Sequence, residues 1–145
     1  MQMEWLILAD SAQVVGGKLY LLGGGWDRIT VNNQFPVQQR MAVALSVKVP
    51  WNETNQKRTF EVEILSENRD TDELKSLMKA AGQFELGRPP GVGPGQDQRF
   101  QLALDITLGI EAAGRKIVVA RIEGLEIGRT EFVVISGAAP PRNLA

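Results

Sequence analysis

The sequence predicts an all-β protein, an immunoglobulin-like antiparallel β-sandwich of roughly eight strands, with an eight-stranded jelly roll as the alternative. Three observations carry this. Apolar or alternating runs recur at roughly eight-to-twelve-residue spacing. Glycine, proline and asparagine clusters separate them. The run from Met41 to Val49 alternates cleanly, as a half-buried strand does.

The stretch Met3–Val31 is read as the central hairpin. Trp5-Leu6-Ile7-Leu8-Ala9 and Lys18-Leu19-Tyr20-Leu21-Leu22 are continuous apolar runs, which predicts strands covered on both faces. Gly16-Gly17 between them supplies the positive φ angles of a tight hairpin turn. Gly23-Gly24-Gly25 marks a bulge or a bend toward the other sheet. Its spacing is neither GxGxxG nor GxxxxGK[ST], and no helix follows to bind a phosphate. Trp26 to Val31 resumes extended character, and Asn32-Asn33-Gln34 before Pro36 is a turn.

In the next strand Val43, Leu45, Val47 and Val49 face one side, and Ala42, Ala44, Ser46 and Lys48 the other. After a polar loop at 50–55, Phe60, Val62 and Ile64 point inward, and Thr59, Glu61 and Glu63 outward. The segment 72–81 breaks the alternation: Leu74, Leu77, Met78 and Ala81 fall at helical spacing. Thr71 or Asp72 would cap the start and Gly82 the end, which predicts a short surface helix there. Phe84-Glu85-Leu86 reads as a short strand, and Arg88 to Gly95 as a proline- and glycine-rich loop. Phe100, Leu102, Leu104 and Ile106 alternate next. A turn at Ala112 to Arg115, a strand at Ile117–Ile122, a reversal at Glu123-Gly124 and a last strand at Thr130–Ile135 complete the series, with Phe132 and Val134 on one face. One domain over 1–136 and a flexible tail over 137–145 follow.

A chain of 145 residues is long enough for one core, burying roughly 68% of its unfolded surface. Sixteen basic and seventeen acidic residues, a net charge of −1, are spread without blocks. This gives no footprint for nucleic acid or an anionic membrane. No apolar run approaches the roughly 20 residues of a membrane span, and no secretory leader is read at the start; the expected location is the cytoplasm. Cysteine and histidine are both absent. Disulfides, thiolate metal sites and every Ser-His or Cys-His nucleophile are therefore excluded, and catalysis would rest on carboxylates, lysines, the single tyrosine or hydroxyls. The expectation is a protein that is not an enzyme and carries no cofactor.

Ala9-Asp10-Ser11-Ala12-Gln13-Val14, then Gly17-Lys18-Leu19 and Leu22-Gly23, resemble the opening of an uncharacterised bacterial family of small β-proteins. Phe84 to Gly91 and the spacing of Gly114, Gly124 and Phe132 are similar to the same family. The resemblance spans nearly the whole chain, and it implies no activity and no site residues.

The candidate binding residues are Asp10, Gln13, Trp26, Asp27 and Arg28, the polar and aromatic members of the opening block. The structural account has Asp10 and Gln13 bonding turn backbone and Asp27 pairing with Arg28 or Lys18. Asp10, Asp27 and Asp105 are the acids that a calcium site would use, but no DxDxDG-type loop accompanies them. Two functional classes are favoured over a third, an enzyme using a carboxylate pair. One is an interaction or assembly module docking a protein partner or another copy of itself through edge strands and loops. The other is a carbohydrate or small-ligand module using Trp26 and Trp51 as stacking rings.

Overall fold

The structure, a computed structural model, describes residues 1–137. It contains nine strands: β1 (Gln2–Val15), β2 (Lys18–Gly24), β3 (Arg28–Val31), β4 (Val37–Val49), β5 (Arg58–Glu67), β6 (Leu74–Phe84), β7 (Gln98–Ile110), β8 (Gly114–Ile122) and β9 (Leu125–Ser136). A single 3₁₀ turn occupies Trp51–Glu53. The strands form a four-stranded sheet, β2-β1-β4-β7, and a five-stranded sheet, β3-β9-β8-β5-β6. This is a β-sandwich. Every pair is antiparallel except β3, which runs parallel to β9.

Alternation decides what lies between the sheets. Val43, Leu45, Val47 and Val49 of β4 meet Val62 and Ile64 of β5, Val118, Ala120 and Ile122 of β8, and Phe132 and Val134 of β9 in one core. Burying each such side chain stabilises the fold by about 1.5–3 kcal/mol relative to exposure. Phe84 and Phe100 stack at 3.9 Å across the sheets, and Phe60 tilts against Phe100 at 6.1 Å. The Phe60 ring also lies over its cross-strand partner Gly82, where an added Cβ would come within 2.7 Å of it.

The outer face of the five-stranded sheet is less wet than alternation alone would give. Ile117 and Val119 face outward yet are buried. They are flanked by the ion pairs of Arg115 with Glu67 and Glu131, and of Arg121 with Glu61 and Glu63. Arg115 and Glu131 remain partly in water, whereas Glu63 is itself buried beside Arg121, so this pair lies within the covered surface.

The structure corrects three expectations. The segment 72–81 is not a helix: β6 begins at Leu74 and pairs along β5. Met78 opposes Ile64 and Ser76 opposes Leu65, so Leu77 is the extra residue of a β-bulge. Beyond the bulge Met78, Ala80, Gly82 and Phe84 alternate inward, while Ala81 is exposed. The helical spacing came from one inserted residue shifting the phase of a strand. Second, Phe84 closes β6, and Glu85-Leu86 belong to the following loop rather than to a strand. Third, Ala42, Ala44 and Ser46 are fully buried although they face away from the core.

Gly137 donates its N–H to the Val31 carbonyl, which ties the end of β9 to β3. The rest of the tail expected at 137–145 lies outside the described residues. Among the described residues no helix is long and apolar enough to cross a membrane.

Candidate functional site: the β1–β2 hairpin

The hairpin is set by two glycines. Gly16 and Gly17 adopt φ of 58° and 73°, the mirror-image turn that matches strand twist, and Val15 pairs with Lys18 across it. β1 is long enough to serve two neighbours in succession. Its first half pairs with β4 from Gln2 to Ala9, and its second half pairs with β2 from Ala9 to Val15.

The second half lies over the outer face of β4 and β7. Ala12, Leu19 and Leu21 pack with Ala9, Ala42, Ala44 and Ala103 in an apolar cluster separate from the main core. Small side chains permit this close approach. The Ala12 N–H donates to Asp105 Oδ1 at 3.3 Å, and Gln101 Nε2 donates to the Gly17 carbonyl at 3.0 Å. Near the start of β1, Glu4 accepts two hydrogen bonds from Arg99, at 2.6 and 3.0 Å, and one from the Ser46 hydroxyl at 2.9 Å. The Arg99 guanidinium and then Ser46 hold the Glu4 carboxyl down to about 2. Glu4 is itself the residue inserted between Met3 and Trp5 in the β1–β4 register.

The other face of the hairpin is bare. Val15 is 50% exposed, Tyr20 55% and Leu22 71%, with Ser11 and Gln13 exposed among them. Gln13 pairs with Tyr20 and Ser11 with Leu22. The expectation of a second strand covered on both faces is therefore corrected: only Leu19 and Leu21 are covered. β2 also ends its sheet, so among the described residues one side of its backbone has no partner strand.

The sequence-selected residues divide into two groups. Asp10 lies on β1 with its carboxyl where a Gly23 side chain would stand, which explains a glycine with φ of 60° there. With Ser11, Gln39, Arg40 and Asp105 it lines an open groove of about 660 Å³. Gln13 projects from the hairpin's bare face. Trp26, Asp27 and Arg28 lie past the crossover to the other sheet. Gly25 donates to the Leu8 carbonyl in the first sheet, and Val133 donates to the Asp27 carbonyl in the second. Trp26 packs edge-on against Phe132 at 5.8 Å, with its indole N–H buried and, among the described residues, unpartnered. Asp27 and Arg28 pair at 3.6 Å, both largely exposed. Trp51 is covered on one face by the Arg88 guanidinium at 3.7 Å, which also donates to Thr54 Oγ1 and to the Trp51 carbonyl. Asp10, Asp27 and Asp105 are not gathered: among the described residues no cluster of three acids could hold a metal ion.

Sequence reading missed Tyr20 and Leu22, because a continuous apolar run looks the same whether one face or both are covered.

Residues 4–135 match the profile of a family of unknown function, DUF6941. The chain belongs to that family. No curated protein matches it. Two solved structures align only distantly. A Pseudomonas fluorescens alkylpurine DNA glycosylase, AlkC, bound to DNA containing an abasic site analog is 15% identical with a TM-score of 0.41; the alignment covers 75% of this chain and 28% of that one. A Listeria innocua β-glucosidase in complex with isofagomine is 8% identical with a TM-score of 0.39, covering 95% and 17%. The chain spans less than a third of either structure's length.

Proposed function

We propose that this family member is a non-catalytic interaction or assembly module that docks a protein partner, or a second copy of itself, through the β1–β2 hairpin. The observation that carries this is the coincidence on β2 of an unpaired backbone edge with exposed Tyr20 and Leu22. An open edge offers main-chain hydrogen bonds to an added strand, and alternate side chains beside it supply selectivity. Tyrosine on such a surface contributes a large contact area with one polar end.

The carbohydrate reading has less to rest on. Trp26 is engaged with Phe132, and one face of Trp51 is taken by Arg88. A cysteine-free chain suits the cytoplasm, where we place the module.

Sedimentation of the purified protein over a concentration series, with co-purification from its host, tests the proposal. Association that is lost in the Tyr20→Lys/Leu22→Lys double variant, with an unchanged melting temperature, is the expected result. A strict monomer with no co-purifying chain would overturn it.

A further inference from the structure

At the far end of the sandwich a second feature stands apart from the hairpin. Lys116 of β8 and Ser66 of β5 are directly opposed in the register and share its inner face. Lys116 is 2% exposed. Its Nζ lies 2.9 Å from Ser66 Oγ and 3.2 Å from the Ala112 carbonyl.

Among the described residues no carboxylate pairs with this amine. On the flanking elements Glu67 and Glu131 are taken by Arg115 on the outer face, and Lys75 pairs with Glu111 in solvent. Arg69, Asp70 and Glu73 stand on the β5–β6 turn, along the groove that Ser66 also lines. Removal from water without a counter-ion disfavours the ammonium, and burial pushes Lys116 below the ordinary lysine value. Lys116 Nζ donates to both Ser66 Oγ and the Ala112 carbonyl; once it has lost a proton it keeps the Ala112 contact and its lone pair can accept the Ser66 hydroxyl proton across the same 2.9 Å.

We propose that Ser66 and Lys116 form a serine–lysine pair in which the buried amine activates the hydroxyl, making Ser66 an acyl-acceptor site. Lysine is a base available to a chain without histidine, and it serves serine nucleophiles in this way. Ser66, though not Lys116, lines an open groove of about 830 Å³, and Leu74, Ala113, Val133 and Ile135 make part of its wall apolar. The co-reactant is an activated ester or thioester. Ser66 Oγ bonds to the acyl carbon as its proton passes to Lys116 Nζ; the bond to the leaving oxygen or sulfur breaks, and that atom takes the proton from Nζ. One acyl ester forms per chain and the amine returns neutral.

The test uses phenylmethanesulfonyl fluoride as the electrophile on the full chain, with adducts mapped by peptide mass spectrometry against pH. Ser66 should be labelled roughly a hundred-fold faster than exposed Ser11, the range a positioned base supplies. Its rate should rise with pH as the amine deprotonates. Ser66→Ala should remove the adduct, and Lys116→Met should lower the rate to that of Ser11 with the sheet circular dichroism retained. If Lys116→Met fails to fold, Lys116→Arg keeps the donors but cannot act as a base, and should show the same loss. Ser66 labelled no faster than Ser11, or a rate unchanged in Lys116→Arg, would overturn the proposal.

Discussion

β2 and β6 each end a sheet, and they are finished differently. β6 carries Lys75 and Lys79, the latter paired with Glu61 at 3.3 Å, and is broken by the bulge at Leu77. Lysines and bulges are the devices by which proteins keep an open edge from pairing with another chain. β2 has one lysine, at its first position, and then presents Tyr20 and Leu22. The remaining edges resemble β6 more than β2: β3 has four residues and opens on Arg28, and β7 carries Arg99 and Asp105. Among the described edges β2 is the least protected, which is what the proposed docking surface requires.

The largest effects should come from disturbing the supports of the two edges. Ala44→Leu would force a larger side chain under the β2 hairpin, where Leu19 and Leu21 already fill the cluster. A loss of about 1–3 kcal/mol is expected from overpacking, with hydrogen exchange rising at β2 before the core opens. On the β6 side, Gly82→Val would drive a branched side chain into the Phe60 ring. Denaturant unfolding should show a loss of similar or somewhat smaller size, about 1–2 kcal/mol, with β2 exchange unaltered.

Smaller effects should appear in pH dependence. Glu4 is held well below its ordinary value in the folded state, so its stabilisation is complete above pH 4.5 and is lost as pH falls toward about 2. Glu4→Gln should flatten the acid side of a stability–pH curve. Lys116 also makes stability rise with pH, but as a penalty relieved and not as a stabilisation gained. Its folded value is lowered, so the fold is penalised at neutral pH and gains stability as pH rises toward the ordinary lysine range. Lys116→Met should remove that alkaline rise.

Much of the architecture was legible in the residues. Val43 to Val49, Phe60 to Ile64 and Phe100 to Ile106 alternate because one face of each strand meets the core, so the pattern records the packing directly. Gly16-Gly17 and Glu123-Gly124 were legible as turns because both pairs take positive φ. What failed to read depended on partners distant in the chain. Ala42 and Ala44 look solvent-facing until the hairpin returns across them. Leu77 looks helical until its register with β5 is known. The parallel pairing of β3 with β9 has no local signal at all. On the proposed docking face, Gln13 stands among the polar residues selected from the opening block, Asp10 lines a neighbouring groove instead, and Tyr20 and Leu22 were hidden inside an apolar run. Ser66 and Lys116 lie 50 residues apart, and only the β5–β8 register joins them.

The smallest change in stability is expected where the functional change is greatest. Tyr20→Lys/Leu22→Lys should shift unfolding by no more than about 0.5 kcal/mol, since both side chains are already in water. The most direct test places one photo-crosslinking residue, p-benzoylphenylalanine, at position 20 or at position 79 in the protein expressed in its host. A crosslink to another chain from position 20 and none from position 79 is the predicted result. No crosslink from position 20, or equal crosslinking from both, would contradict the assignment of β2 as the docking edge.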